Sequence, residues 1–527
     1  MNPSPELKLP VLPAGDHYAF HTMVKPSGSQ CNIACSYCFY LHKAELLSQP
    51  KQPRMDEAML AEHVRQYIEA QTGPEVVFTW QGGEPTLMGL DFFRRVVALQ
   101  RQHARPGQRV LNDLQTNGLL LDEDWCRFLK AHDFLVGISI DGPADLHDQL
   151  RHARNGKPTF QHVMRAIERL RAYGILFNAL CVVNRINAKE PLRVYRFLRD
   201  EIRPRMIQFL SAVEPLDFRQ VAPGFWGRVE NRADELADAV PQRTPLKHVD
   251  PGTSSGLGAA GEVRDVGLGD ASRVDDPMRH HAGPRRIPVQ LVPSDPAEWS
   301  EARPTACGGA VTGRSGVGVG EGMAGRAAGR EATVVMTPVS RGQPAAHGTG
   351  VTDWTVEPLA WGEFLSAIWR EWLLKDFGRV FVDQFENTLS QALGHGPQKC
   401  TTSPICGKAL AIEHNGDLYA CDHFVYPAYR LGNIREVHQG DMAFSERQRD
   451  FGYAKHKSLP EHCRRCSHLQ LCWGECPKNR FIHTPDGEPG LNYLCAGLKR
   501  FYRQVTDDLP SVRARLQLAK RLPDSLG

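Results

Sequence analysis

The chain has 527 residues, 41% of them hydrophobic, enough for two or three domains with a sizeable core. Its 63 basic and 60 acidic residues leave a formal net charge of +3, without the basic excess of a nucleic-acid-binding surface. The N-terminal stretch MNPSPELKLPVLPAGDH lacks the apolar core of a signal peptide, and no apolar run approaches bilayer length. The expectation is a cytoplasmic protein that engages neither nucleic acid nor membrane.

From 17 to 215 the pattern alternates between strands and helices. YAFHTMVKP, EVVFTW, RVLNDLQT, FLVGISI, LFNALCVV and RMIQFL read as six strands. Helical segments separate them. One has Asp56 as its N-cap and stops at Gly73; another follows Thr159 and stops at Gly174. This order predicts an α/β fold with a parallel sheet, open or curled into a partial barrel. Polar motifs fall at successive strand ends: a cysteine loop after the first, QGGEP (81–85) after the second, QTNG (115–118) after the third and SIDGP (139–143) after the fourth. Strand C-terminal ends are where parallel barrels assemble active sites.

Between 220 and 350 the composition turns to Gly, Ala, Ser and Arg, which predicts a disordered insertion with one helical pattern, FWGRVENRADELADAV. Order returns at PLAWGEFLSAIWREWLLKDFG. There Trp361, Phe364, Leu365, Ile368, Trp369 and Trp372 share one helical face and are read as core.

The 14 cysteines carry the chemistry. A reducing compartment disfavours a disulfide framework, so clustered cysteines point to metal ligation. Cys31, Cys35 and Cys38 form C-x3-C-x2-C; Cys400, Cys406, Cys421, Cys463, Cys466, Cys472, Cys476 and Cys495 form a second group. Cys126 and Cys181 are read as core residues, and Cys307 as an inert residue of the insertion. Three thiolates can hold three irons of a [4Fe–4S] cubane and leave the fourth open to a substrate or cofactor. The competing reading is a zinc site closed by His42. The dense C-terminal run C-x2-C-x5-C-x3-C would, alone, also suit zinc; eight cysteines fit two sets of four better.

CNIACSYCFY followed by GGEP resembles the radical S-adenosylmethionine (SAM) enzymes, and the C-terminal cysteines resemble their SPASM extension. QGGEPTLMGLDFF, LQTNG, FLVGISIDGP, LCVVN, ACDHFVYPAYRLGNI and LNYLCAGLKRFY together resemble the anaerobic sulfatase-maturating enzymes, over roughly 17–215 and 357–505. The resemblance implies a partial (β/α)6 radical SAM barrel (1–219), the insertion (220–350), a helical connector (351–399), a small cysteine-rich SPASM domain (400–500) and a helical tail (501–527).

It also implies SAM and three [4Fe–4S] clusters. One would be held by Cys31, Cys35 and Cys38. The second would be held by Cys400, Cys406, Cys421 and Cys476, and the third by Cys463, Cys466, Cys472 and Cys495. The implied reaction oxidises a Cys or Ser in a C/S-x-P-x-R segment of an unfolded or nascent sulfatase to Cα-formylglycine, with flavodoxin or ferredoxin as electron donor. Tyr37 would lie over adenine, and Gly83 would offer its carbonyl to the SAM amino group. Ser139 would bond the ribose or methionine part, Arg151 would pair with the carboxylate, and Val213 would complete the contacts. Gln81 and Gln115 face the same region without an assigned role.

Asp422 matches the family's base. Transfer from a thiol near 8.5 to a carboxylate near 3.9 is uphill by about 4.6 units, roughly 6 kcal/mol. Asp422 is therefore expected to be buried with a raised pKa, unless the adjacent radical acidifies the thiol. Two alternatives stand beside this reading: another SPASM-type peptide-modifying maturase, and a non-enzymatic zinc or iron–sulfur protein.

Overall fold

The computed structural model describes residues 20–216, 350–407 and 409–519. The insertion, its helical pattern and Cys307 lie outside the described residues. Ten strands form one open sheet: β1 (His21–Lys25), β2 (Glu75–Trp80), β3 (Arg109–Thr116), β4 (Leu135–Ser139), β5 (Phe177–Val183), β6 (Met206–Ser211), β7 (Phe381–Val382), β8 (Ala409–Glu413), β9 (Asp417–Tyr419) and β10 (Arg430–Asn433). Their spatial order is β10-β9-β8-β1-β2-β3-β4-β5-β6-β7. Strands β1 to β7 run parallel, as expected when helices connect them.

The strands are buried on the helix-covered face and partly open on the other. In β5 burial alternates residue by residue, with Phe177, Ala179, Cys181 and Val183 inward. Cys181 and Cys126 are fully buried among apolar neighbours. The Asp56 side chain caps its helix by accepting from Met59 N at 2.7 Å. Thr159 does not cap the next one. Asp148 Oδ1 accepts from the Thr159 and Phe160 amides, and the Thr159 hydroxyl donates to the Arg151 carbonyl at 2.8 Å.

The C-terminal half does not form a separate layer. Strand β8 pairs in parallel with β1 in the register His21↔Ala409 to Lys25↔Glu413, so the β8–β10 meander extends the barrel sheet past its first edge. At the opposite edge β7 adds to β6, tying the connector into the same sheet. The predicted apolar face of Pro358–Lys375 is buried and packs on the last helix, Cys495–Ala519. That helix begins at Cys495, ahead of the expected boundary at 501, so the final cysteine and the tail are one element. Two glycines allow the helices to touch: a Cβ on Gly497 would sit 1.8 Å from the Pro358 carbonyl oxygen. Among the described residues no helix is long and apolar enough to cross a membrane.

Candidate active site

The cysteine loop leaves β1 and is held from two sides. The GGEP loop lies against it backbone to backbone: Gly83 N donates to Gly28 O at 2.9 Å and Glu84 N to Gln30 O at 2.8 Å. Gly83 must be bare here, because a Cβ would fall 1.9 Å from Gln30 O. The buried Glu84 carboxylate accepts from Thr86, Thr116 and the Asn117 amide, joining the ends of β2 and β3. Asn117 Nδ2 in turn reaches Asn32 Oδ1 at 2.7 Å and the Cys31 sulfur at 3.6 Å. On the other side Ala34 N and Ser36 N donate to the carbonyls of His152 and Leu150, and Arg154 Nε donates to Cys31 O.

Of the residues expected to contact SAM, Tyr37, Gly83 and Arg151 meet at this loop. Arg151 is buried; its Nε donates to Asp141 Oδ2 at 2.9 Å and its Nη1 lies 4.0 Å from the Cys35 sulfur. Burial opposes the guanidinium charge, and Asp141, Tyr37 and Cys35 outweigh it. The Tyr37 hydroxyl donates to the same Asp141 oxygen, which orients its ring beneath Arg151. Ser139 Oγ accepts from Gln115 Nε2 at 3.0 Å, giving Gln115 a place in the β3–β4 mouth. Val213 is buried past β6, and its carbonyl accepts from Lys478 at 3.2 Å. A buried guanidinium next to a three-thiol loop fits a carboxylate-bearing group there.

Phe39 and Tyr40 do more than cover the loop. The Tyr40 hydroxyl donates to Glu413 at the end of β8, and Phe39 packs edge-on against His423. The first cysteine loop is thereby fastened to the C-terminal half.

Asp422 sits at this junction, buried and ion-paired with Lys25 at the end of β1. The expectation of a raised pKa is corrected. Burial alone would raise the carboxyl, but Lys25, His423 and Lys43 outweigh it and hold it below the usual value. The β1–β8 register brings Lys25 to Asp422, and no local pattern in the sequence encodes that pairing. Nearby, Lys478 pairs with the buried Glu214, and Glu413 accepts from Gln49 at 2.9 Å. The Lys43 ammonium lies 3.2 Å from the centroid of Tyr426 without a hydrogen-bond partner, and burial pulls it down to about 7, with Glu214 opposing. Sequence reasoning missed Glu84, Asp141, Lys25, Lys43 and Glu214. The first two stood inside quoted motifs; nothing local marked the others.

The eight C-terminal cysteines separate in space into two groups. Cys421 is pushed up by burial and then by its neighbours Cys400, Cys406 and Cys476. Cys463, Cys466, Cys472 and Cys495 line one small cavity. The chain passes between the groups through Trp473, Gly474 and Glu475, all with positive φ (48°, 68° and 52°). This strained turn is clamped by the buried Arg480, whose guanidinium donates to the carbonyls of Gly474 (2.9 Å) and Trp473 (2.5 Å). Lys455, also buried, donates to the Cys400 and Thr401 carbonyls at 2.6 Å. These two cations lie beside thiols of the two groups. All cysteines of the described residues are free thiols.

Among the described residues no three His, Cys, Asp or Glu side chains gather closely enough for a single ion. A cubane holds its ligands wider apart than one zinc ion does. Two separated thiol quartets with buried counter-cations, and one thiol triplet beside a guanidinium, fit that donor set.

Residues 26–198 match the Radical SAM superfamily, and residues 400–467 match SPASM, an iron–sulfur cluster-binding domain. A serine-type anaerobic sulfatase-maturating enzyme of Bacteroides thetaiotaomicron is 34% identical over 496 residues, covering 94% of this chain and 92% of that one. The chain belongs to the anaerobic sulfatase-maturating enzyme family. A cysteine-type member from Clostridium perfringens is 24% identical over 493 residues, covering 93% of this chain and 97% of that one. The fold of the family is shared with the solved structure of native anSMEcpe with bound AdoMet and Cp18Cys peptide, with a TM-score of 0.63 and 23% identity over 94% of this chain and 99% of that one.

Proposed function

We propose that this protein oxidises one Cys or Ser side chain in a C/S-x-P-x-R segment of an unfolded sulfatase polypeptide to Cα-formylglycine. Its cofactors are SAM and three [4Fe–4S] clusters. Cys31, Cys35 and Cys38 would hold the SAM-binding cluster. Cys400, Cys406, Cys421 and Cys476 would hold one auxiliary cluster, and Cys463, Cys466, Cys472 and Cys495 the other. When bound, SAM on the first cluster supplies hydrogen-atom abstraction at the target Cβ. The observation that carries this reading is the placement of Asp422. It follows Cys421 of an auxiliary set and pairs with Lys25 at the C-terminal end of β1, beside the three-cysteine loop. A proton acceptor and an outlet for an electron would then meet at the barrel mouth.

The chain's own residues divide the work. Arg151, held by Asp141, would orient the SAM carboxylate; Gly83 would present its carbonyl, Ser139 its hydroxyl, and Tyr37 and Val213 would bound the nucleoside. Asp422 would take the proton of the target thiol or hydroxyl. Since Lys25 lowers its basicity, the proton must be acidified at the radical stage for that step to run. A flavodoxin or ferredoxin would supply the reducing electron. Residues 1–219 would carry the SAM chemistry and residues 400–500 the electron outlet, joined by the connector 351–399.

The test is anaerobic. Reconstituted protein is incubated with SAM, a reductant and two peptides, one with C-x-P-x-R and one with S-x-P-x-R. Formylglycine by mass, with matching 5′-deoxyadenosine, is the expected outcome, and the preferred peptide reveals the target type. Deoxyadenosine with both peptides unchanged would move the substrate to another peptide class.

A further inference from the structure

The helix Cys495–Ala519 places Tyr502 seven residues beyond Cys495, two helical turns along the same face. Side chains on a helix lean toward its N-terminus, so Tyr502 points back toward Cys495. Cys495, Leu498, Lys499 and Tyr502 line the cavity that also holds Cys463, Cys466 and Cys472. Tyr502 is almost completely buried, and its hydroxyl has no hydrogen-bond partner. A buried hydroxyl without an acceptor is unfavourable, and phenylalanine would pack there without that penalty, as Phe501 does one position earlier. A phenol is a hydrogen-bond donor at neutral pH. The other auxiliary set has a different polar neighbour, His423, whose Nδ1 lies 3.3 Å from the Cys476 sulfur.

We propose that the Tyr502 hydroxyl donates a hydrogen bond to the iron–sulfur cluster held by Cys463, Cys466, Cys472 and Cys495, raising its reduction potential above the value those ligands would set alone. The proposal rests on the ligand assignment given above. A donor to a cluster sulfur stabilises the reduced form, which carries one more negative charge. Tyr502 would thus be a tuning residue in contact with the cluster.

The experiment uses the full chain, reconstituted anaerobically and titrated with reductant while cluster signals are followed by electron paramagnetic resonance. Cys466→Ala identifies the signal of this cluster by its loss. In Tyr502→Phe the midpoint of that signal should move to lower potential, with iron content and the other signals unchanged. With 3-fluorotyrosine at position 502, a stronger donor of nearly the same shape, it should move to higher potential. The fluorinated protein decides the matter if the phenylalanine variant loads poorly. An unmoved midpoint in a fully loaded sample overturns the proposal. If Cys466→Ala loses neither iron nor signal, the ligand assignment fails first, and the proposal with it.

Discussion

The three-thiol loop and the two four-thiol groups use the same ligand type in opposite surroundings. Around Cys31, Cys35 and Cys38 the chain supplies groups able to meet a second molecule: the Arg151 guanidinium, the Ser139 hydroxyl, and at the mouth Lys43, Glu214 and Asp422. Around the C-terminal groups the cations turn inward. Lys455 and Arg480 spend their donors on backbone carbonyls, fixing the loops that carry the thiols. Under the proposed assignment, the protein would leave a position open where a cofactor and substrate bind, and would fill every position and rigidify the shell where only an electron passes.

The largest expected effect separates the two regions directly. Cys35→Ala should abolish 5′-deoxyadenosine formation, while Cys466→Ala should retain SAM cleavage and lose most formylglycine, both read by chromatography and mass. Equal loss of cleavage in the two variants would erase the distinction. Next comes the junction. Asp422→Asn should lower formylglycine formation by about 10²–10⁴-fold, the span of general base catalysis, with SAM cleavage continuing unproductively.

The Lys25–Asp422 pair also sets a pH dependence. A carboxyl held below its unfolded value contributes stability above that value and loses it as pH falls through the folded value, so the native pair should show no acid limb down to the ordinary carboxylate range. Lys25→Met leaves burial unopposed by its main counter-charge. The acid limb of formylglycine formation should then move to higher pH, and the protein should lose roughly 3–5 kcal/mol of stability, as expected for an orphaned buried charge.

The smallest effect lies on the connector. Burial, with Asp383 adding, pushes Glu386 up to about 7. A raised carboxyl makes the folded state bind more protons between its unfolded and folded values, so stability falls as pH rises from 4.5 to about 7. Glu386→Gln should remove that slope and stabilise the protein at pH 8 by up to roughly 3 kcal/mol, measured by denaturant unfolding at pH 5 and pH 8.

Much of the fold was legible because its signals are local. β2 and β3 coincide with EVVFTW and RVLNDLQT, and the stripe from Trp361 to Trp372 is core, since alternation and helical periodicity follow directly from burial on one face. The cysteine spacings were equally visible. The pairing of β8 with β1 was not: it joins residues almost 400 positions apart, and nothing near His21 or Ala409 names its partner. The same holds for the Asp422 pKa, whose direction is reversed by Lys25 from the far side of that pairing.

By itself the sequence determined the α/β order, the positions of the motifs at the strand ends and the inventory of thiolates, because each depends on spacing within a single segment. Only the tertiary structure decided which thiols neighbour which, which lysine neutralises Asp422, and that Tyr502 faces the last cysteine cavity. Those facts depend on long-range burial and on opposite charges brought together from distant segments, and the free energy of such contacts has no local signature in the chain.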